Sequence, residues 1–158
     1  MNGVSQITVT EDVSLITFHR VPNNFKLIAD IFSAFGRQHI DIDMISQTAP
    51  HGNQVSISFT VGAADTVKVL EVAKSFRDRP NSIKPMVSTG NVKLRLYGGE
   101  MQGMPGVAAA AMTAIANINA QVSLITTSES DISFLVTQTY LDEAVAALEQ
   151  EFGVTVNP

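Results

Sequence analysis

Asp41 and Asp43, two apart in Ile40-Asp-Ile-Asp-Met-Ile-Ser-Gln47, are the nearest this chain comes to a paired-carboxylate site. They alternate as a strand does, so both leave the same face, and no partner acid stands beside them. His19, His39 and His51 fall on three different elements without metal-ligand spacing. Cysteine is absent and no serine stands in a nucleophile-elbow motif, which removes thiol chemistry and one common hydrolase layout. Gly98, Gly99, Gly103 and Gly106 make a glycine-rich stretch, but with neither the G-x-G-x-x-G nor the lysine-bearing spacing of a phosphate loop. Met101 and Met104 within it read as loop packing. The expectation is a chain with no catalytic residues, no metal and no cofactor.

The elements that would position such residues follow from periodicity. Val4 to Thr10 and Val13 to Phe18 read as strands. Pro22-Asn-Asn24 marks a turn, with Asn23 or Asn24 able to cap a helix whose Leu27, Ile28, Ile31, Phe32 and Phe35 form one apolar stripe. Ile40 to Ser46 alternates, with Ile40, Ile42 and Met44 on one face and Asp41, Asp43 and Ile45 on the other. Pro50 to Asn53 is a hairpin loop, and Val55 to Val61 the return strand. Asp65 is expected to cap a second helix facing Val67, Leu70, Ala73 and Phe76 inward. A polar break at Arg77 to Asn81 then precedes a short strand at Ser82 to Ser88.

From Val92 the order repeats: strand 92–97, helix 106–118, strands 121–127 and 131–137, helix 140–152. Ile-Ser-Phe occurs in both copies, at 57–59 and 132–134. Such duplicated units usually pack together because each alone leaves apolar surface exposed. The order β-α-β-β-α-β predicts an α+β protein of two ferredoxin-like units, with antiparallel sheets and helices on one face. The units are expected at 12–90 and 91–158. The tail after Phe152 is short for a closing strand, so residues 4–10 are expected to complete the second sheet.

Apolar residues make up 45% of the 158 and charged residues 16%, which is a globular composition. A net charge of −5 without a basic run argues against nucleic acid as a partner. No window approaches the length of a membrane span and the N-terminus lacks a signal layout, so a soluble cytoplasmic protein is the default.

At Ile40 to Gln47 and Val122-Ser-Leu-Ile-Thr-Thr-Ser-Glu129, the chain resembles the paired ACT domains at the C-terminal end of aspartokinase. The most specific stretch is Met104-Pro-Gly-Val107, similar to the family's Pro-Gly helix start, followed by Leu124 to Glu129. The first copy departs from that pattern: Asn23-Asn-Phe-Lys26 lacks the Pro-Gly, and in the second copy Ser123 stands where some members carry aspartate.

The resemblance implies a free amino acid of the lysine or threonine class, held between ACT units as a feedback effector. It also implies homodimerisation and a kinase or other metabolic enzyme as the regulated partner. On that reading the carboxylate suits the N–H groups and positive dipole end at a helix start, at Met104, Pro105, Gly106 and Val107 or at Asn23, Asn24, Phe25 and Lys26. Carbonyls near Ile125 and Thr127 suit the ammonium. Asp43 and Glu129 suit a cationic side chain, and Gln47 or Thr48 a hydroxyl or amide, with Ile45, Ser123 and Ser128 completing the two strands. Gly106 lies at a helix end, so a β-branched residue there is expected to block the ligand and spare the fold. Two other classes compete: a dimerisation module without ligand, favoured by the lost Pro-Gly of the first copy, and a small enzyme on a ferredoxin-like sheet, which the fold alone permits.

Overall fold

Ile16 and Phe18 and, after one extra residue, Val21 turn one face of a strand into a core, and Val55, Ile57, Phe59 and Val61 do the same opposite them. The computed structural model describes residues 2–77 and 83–157. Its elements are β1 (Gln6–Pro22), α1 (Phe25–Arg37), β2 (Ile45–Gln47), β3 (Gln54–Gly62), a 3-10 turn (Ala63–Asp65) leading into α2 (Thr66–Arg77), and β4 (Pro85–Tyr97). Then follow α3 (Val107–Asn117), β5 (Val122–Thr127), β6 (Asp131–Thr137), a 3-10 turn (Gln138–Tyr140) and α4 (Leu141–Phe152). The described residues from Asp12 to Thr89 form one compact unit; those up to Glu11 and from Gly90 onward form the other.

In the unit of residues 12–89, β3 runs antiparallel to both β1 and β2. Helix α1 buries Ile28, Ile31 and Phe35 at helical spacing. These meet a cluster of four phenyl rings, Phe18, Phe32, Phe35 and Phe59, with centroids 5.2–6.5 Å apart in the edge-on and offset arrangements aromatic rings favour. Helix α2 contributes Val69, Ala73 and Phe76 to the same core.

In the other unit β6 pairs antiparallel with β4 and β5, aligning Val92 with Val136, Leu94 with Phe134 and Leu96 with Ile132. Helix α3 is rich in alanine, and its buried Val107, Ala111, Ala114 and Ile115 share a core with Ala144, Leu148 and Phe152 of α4. The first residues of the chain belong here: Val4 and Ile7 lie in this core, and the Ser5 amide donates to the Tyr97 carbonyl at 2.8 Å. Val156 bridges Ile7 in parallel, and the Asn157 amide donates to the Ile7 carbonyl at 3.0 Å.

The α+β class, with antiparallel sheets and helices in a tandem of ferredoxin-like units, is what the periodicity predicts; several boundaries differ. Two separate strands were expected between Val4 and Phe18, but β1 is continuous, passing Asp12 with φ 54 rather than turning. The strands expected at 82–88 and 92–97 are likewise joined, from Pro85 onward, in one strand, β4, which passes Gly90 at φ 72. Ser82 and most of the polar break lie outside the described residues. Of the strand expected at Ile40 to Ser46, only Ile45–Gln47 is regular. Ile40 and Ile42 still pack into the core, whereas Met44 is buried apart from that cluster. In α2 the inward position is Val69, while Val67 is 65% exposed; the stripe starts two residues later than the pattern suggested. Asp65 lies within the 3-10 turn and ion-pairs with Lys68.

Two stability effects follow. Phe59→Ala empties the centre of the ring cluster and should cost about 3–5 kcal/mol, read from the urea midpoint. Deleting residues 2–11 should raise amide exchange in residues 90–157 far more than in residues 25–76, because Val4 and Ile7 leave only the former core.

Candidate ligand-binding turns

In the unit of residues 12–89 the turn before α1 is closed on itself. Asn24 takes extended geometry (φ −133, ψ 100), and its side-chain oxygen accepts from the amides of Lys26 at 3.1 Å and Leu27 at 3.4 Å. The Asn23 amide donates to the Asn53 carbonyl at 2.9 Å and the Asn24 amide to the Pro22 carbonyl at 2.7 Å. A ligand carboxylate at this helix start would have to displace the chain's own amide oxygen. Phe25 is 72% exposed beside it, and Lys26 reaches Asp30 at 3.3 Å.

The strand residues of this first set lie at the sheet edge. Ile45 opposes Phe59 and Gln47 opposes Ile57, yet Ile45 is 52% exposed, since among the described residues β2 is the edge strand. Asp43 is exposed, its amide bonded to the Thr60 carbonyl at 3.1 Å. Thr48 accepts from the Ser56 amide at 2.9 Å, so its hydroxyl proton is left to donate elsewhere.

The turn before α3 is the opposite case. Gly106 sits in the left-handed region (φ 95, ψ −7) and no side chain caps the helix. The first intrahelical bond runs from the Ala110 amide to the Gly106 carbonyl at 2.9 Å, leaving the amides of Val107, Ala108 and Ala109 without a side-chain acceptor among the described residues. Pro105 and Gly106 are exposed, and Met104 is half-buried. Residues 2–4 press on this turn from one side: a Cβ at Gly3 would lie 3.0 Å from Val107 and 3.4 Å from the Met104 sulfur, and one at Gly98 would overlap the Gly3 carbonyl.

The strand residues of this second set reach the same end of their sheet. Ile125 opposes Phe134 and Thr127 opposes Ile132, and the Gly98 amide donates to the Ser130 carbonyl at 2.9 Å, tying the β5–β6 hairpin to the 98–106 loop. Ser123 sits at a register irregularity between Val122 and Leu124. Ser128 is committed to the hairpin, donating to Asp131 at 2.9 Å and accepting from the amides of Ser130 and Asp131. Glu129 is exposed at the hairpin tip. Ile125 lines an apolar hollow of about 190 Å³ with Met112, Ile115 and Phe134.

One feature escaped the sequence reading. Arg20, Thr48, His51, Gln54, Val55 and Ser56 line a cavity of about 220 Å³ at the end of β1. It forms because β1 bulges between Phe18 and Val21, a change of register that leaves little trace in composition. Among the described residues no cluster of three or more His, Cys, Asp or Glu could hold a metal ion. No helix of the described residues is long and apolar enough to cross a membrane.

Comparison with known proteins assigns the class. Residues 14–78 match the ACT domain model, and residues 94–152 match a second ACT domain model. The chain is a tandem of ACT domains, and it is similar to the regulatory region of aspartokinase. It is 27% identical over 152 residues to aspartokinase of Bacillus sp. MGA3, covering 96% of this chain and 37% of that one. It is 32% identical over 126 residues to aspartokinase of Corynebacterium glutamicum, covering 78% of this chain and 30% of that one. The chain thus spans about a third of the length of the curated relatives it matches. Aspartate kinase from Synechocystis superposes with a TM-score of 0.92 at 28% identity, over 99% of this chain and 28% of that one. The regulatory subunit of aspartate kinase from Thermus thermophilus, in its ligand-free form, superposes with a TM-score of 0.88 at 24% identity, over 96% of this chain and 99% of that one.

The geometry revises one expectation. With Gly106 at φ 95, a β-branched residue is strained whatever space surrounds it, so Gly106→Val should lose about 1–2 kcal/mol of stability as well as any ligand. Gly98→Ala should cost about 1–3 kcal/mol by urea denaturation, because its methyl has no room beneath Gly3.

Proposed function

We propose that this chain is an allosteric sensor of a free amino acid, of the lysine or threonine class, serving an aspartokinase. The observation that carries the reading is the uncapped, glycine-led start of α3, whose free amides offer a carboxylate what the Asn24 side chain already supplies at α1. Ile125 and Thr127 on the neighbouring strand, with Glu129 at the same end of the sheet, supply carbonyls and a carboxylate for an ammonium or cationic side chain. The relatives support the ligand class: aspartokinase III of Escherichia coli has been solved in complex with lysine and aspartate. They support the partner too, since an aspartokinase has been solved as α and β subunits. Binding would act by favouring one of two states of a catalytic partner, with the coupling set by the effector's difference in affinity for them.

The second reading, a dimerisation module without ligand, draws on Asn24: a helix start satisfied by its own side chain has no need of an effector. The two separate in one experiment. Thermal unfolding against the twenty amino acids should show one that stabilises by about 2.7 kcal/mol at 100 times its dissociation constant, a rise of roughly 5–10 °C for a chain of this size. No shift with any amino acid, together with a light-scattering mass twice the 16.9 kDa of the chain, selects the second reading. Gly106→Asp places a carboxylate where the ligand's would bind, in a residue type that tolerates positive φ. It should abolish the shift while the fold remains. Undiminished binding by that variant would move the site to the turn at Asn23–Lys26.

A further inference from the structure

We propose that the cavity at the bulged end of β1 is a binding site for a small oxyanion, a phosphate or a carboxylate. It is an open surface hollow of about 220 Å³ lined by Arg20, Thr48, His51, Gln54, Val55 and Ser56, with no carboxylate among them. Its polar side chains include a guanidinium, an imidazole, a hydroxyl with its proton free and a primary amide. This is a donor-rich pocket on a chain of net charge −5.

Three other cations are already paired: Arg95 with Asp131 at 2.9 Å, Lys68 with Asp65 at 3.7 Å, and Lys26 with Asp30 at 3.3 Å. Arg20 makes no ion pair among the described residues. A planar guanidinium in a pocket without an acid suits bidentate recognition of a phosphate or carboxylate.

The backbone is shaped to this end. On the alternation set by Ile16 and Phe18, residue 20 would follow them into the core. The bulge inserts one residue, so Val21 takes the core position opposite Val55 and Arg20 turns outward with φ 56. Bulges of this kind re-aim side chains, and a non-glycine residue in the left-handed region is uncommon outside such places. Opposite it, the His51 backbone is pinned by a reciprocal pair of bonds with Gln54, at 2.9 and 3.3 Å. Ser56 is steadied by the His19 ring nitrogen at 3.1 Å, and Thr48 by the Ser56 amide. The backbone of the hairpin and the hydroxyls of Thr48 and Ser56 are therefore set in place around the exposed Arg20 and His51 side chains. Thr48 alone is shared with the candidate amino-acid residues, and the inference does not rest on the sensor reading.

The test is a titration of the full chain with inorganic phosphate and, in parallel, with acetate. It is followed by calorimetry and by the Arg20 side-chain N–H and His51 ring signals in NMR. Saturable binding of phosphate alone assigns a phosphate site, and of acetate alone a carboxylate site; either supports the proposal when those two side chains shift. Arg20→Asn keeps a residue tolerant of the left-handed region and removes the guanidinium. It should weaken binding by roughly tenfold or more, the weight of a charge-assisted hydrogen bond. His51→Gln, on an exposed loop, should weaken it by a smaller factor and provides the check should Arg20→Asn fold poorly. Lys84→Ala, on a segment outside the cavity, should bind as the parent does. Absence of saturable binding of either anion, or parent-like affinity in a folded Arg20→Asn protein, overturns the proposal.

Discussion

One strand feeds two hydrophobic cores. Ile7 of β1 is fully buried among Leu94, Phe134 and Leu148, while Ile16 and Phe18 of the same strand are buried among Ile31, Phe35 and Phe59. Neither core is complete without its share of β1. The second unit depends on it most, since its own tail offers a single bridging residue, Val156, to the outer side of Ile7. An antiparallel sheet of this kind needs strands brought from far apart in sequence, and here more than eighty residues separate Ser5 from its partner Tyr97. That loop-closure cost is recovered only when the N-terminal residues find their place, so the second unit gains its final stability from the first residues of the chain.

The same residues constrain the α3 turn. Gly3 must approach Val107 and Met104 closely, and Gly98 must be a glycine for the Gly3 carbonyl to fit. The turn thus has one side packed by the chain and another, at Pro105 and Gly106, open to solvent. At α1 the turn is held by the Asn24 side chain and by the bond from the Asn23 amide to the Asn53 carbonyl. The two helix starts treat their first amides differently. One uses a side-chain oxygen, and at the other no side chain caps the helix.

Periodicity made the element types and their doubled order readable, because elements such as α1 and β3 bury one face: Ile28, Ile31 and Phe35 at helical spacing, Val55, Ile57 and Phe59 at alternate positions. It could not show that β1 and β4 are continuous, because Asp12 and Gly90 look like turn residues and serve here as positive-φ steps within strands. Edge position also hid from it. Asp43 and Ile45 alternate like any half-buried strand, and only the sheet order shows β2 at the edge among the described residues. The candidate turns were legible through Pro105-Gly106 and the asparagines. Which of them is already capped was not, since Asn23 and Asn24 are equivalent on paper until the backbone selects Asn24.

The bulge at Arg20 shows the same limit from another direction. A strand pattern of Ile16, Phe18 and Val21 contains an odd step, and the odd step is the structural event: it moves a cation that would otherwise be buried among phenyl rings to a surface pocket. Leaving the guanidinium in that core without a partner would cost several kcal/mol, far more than the left-handed backbone at Arg20, which costs about 1–2 kcal/mol. The bulge is therefore what makes an arginine tolerable at this place in the sequence. Once the strand carries it, the guanidinium must lie at the end of β1, within reach of the β2–β3 hairpin that presents Thr48, His51 and Gln54.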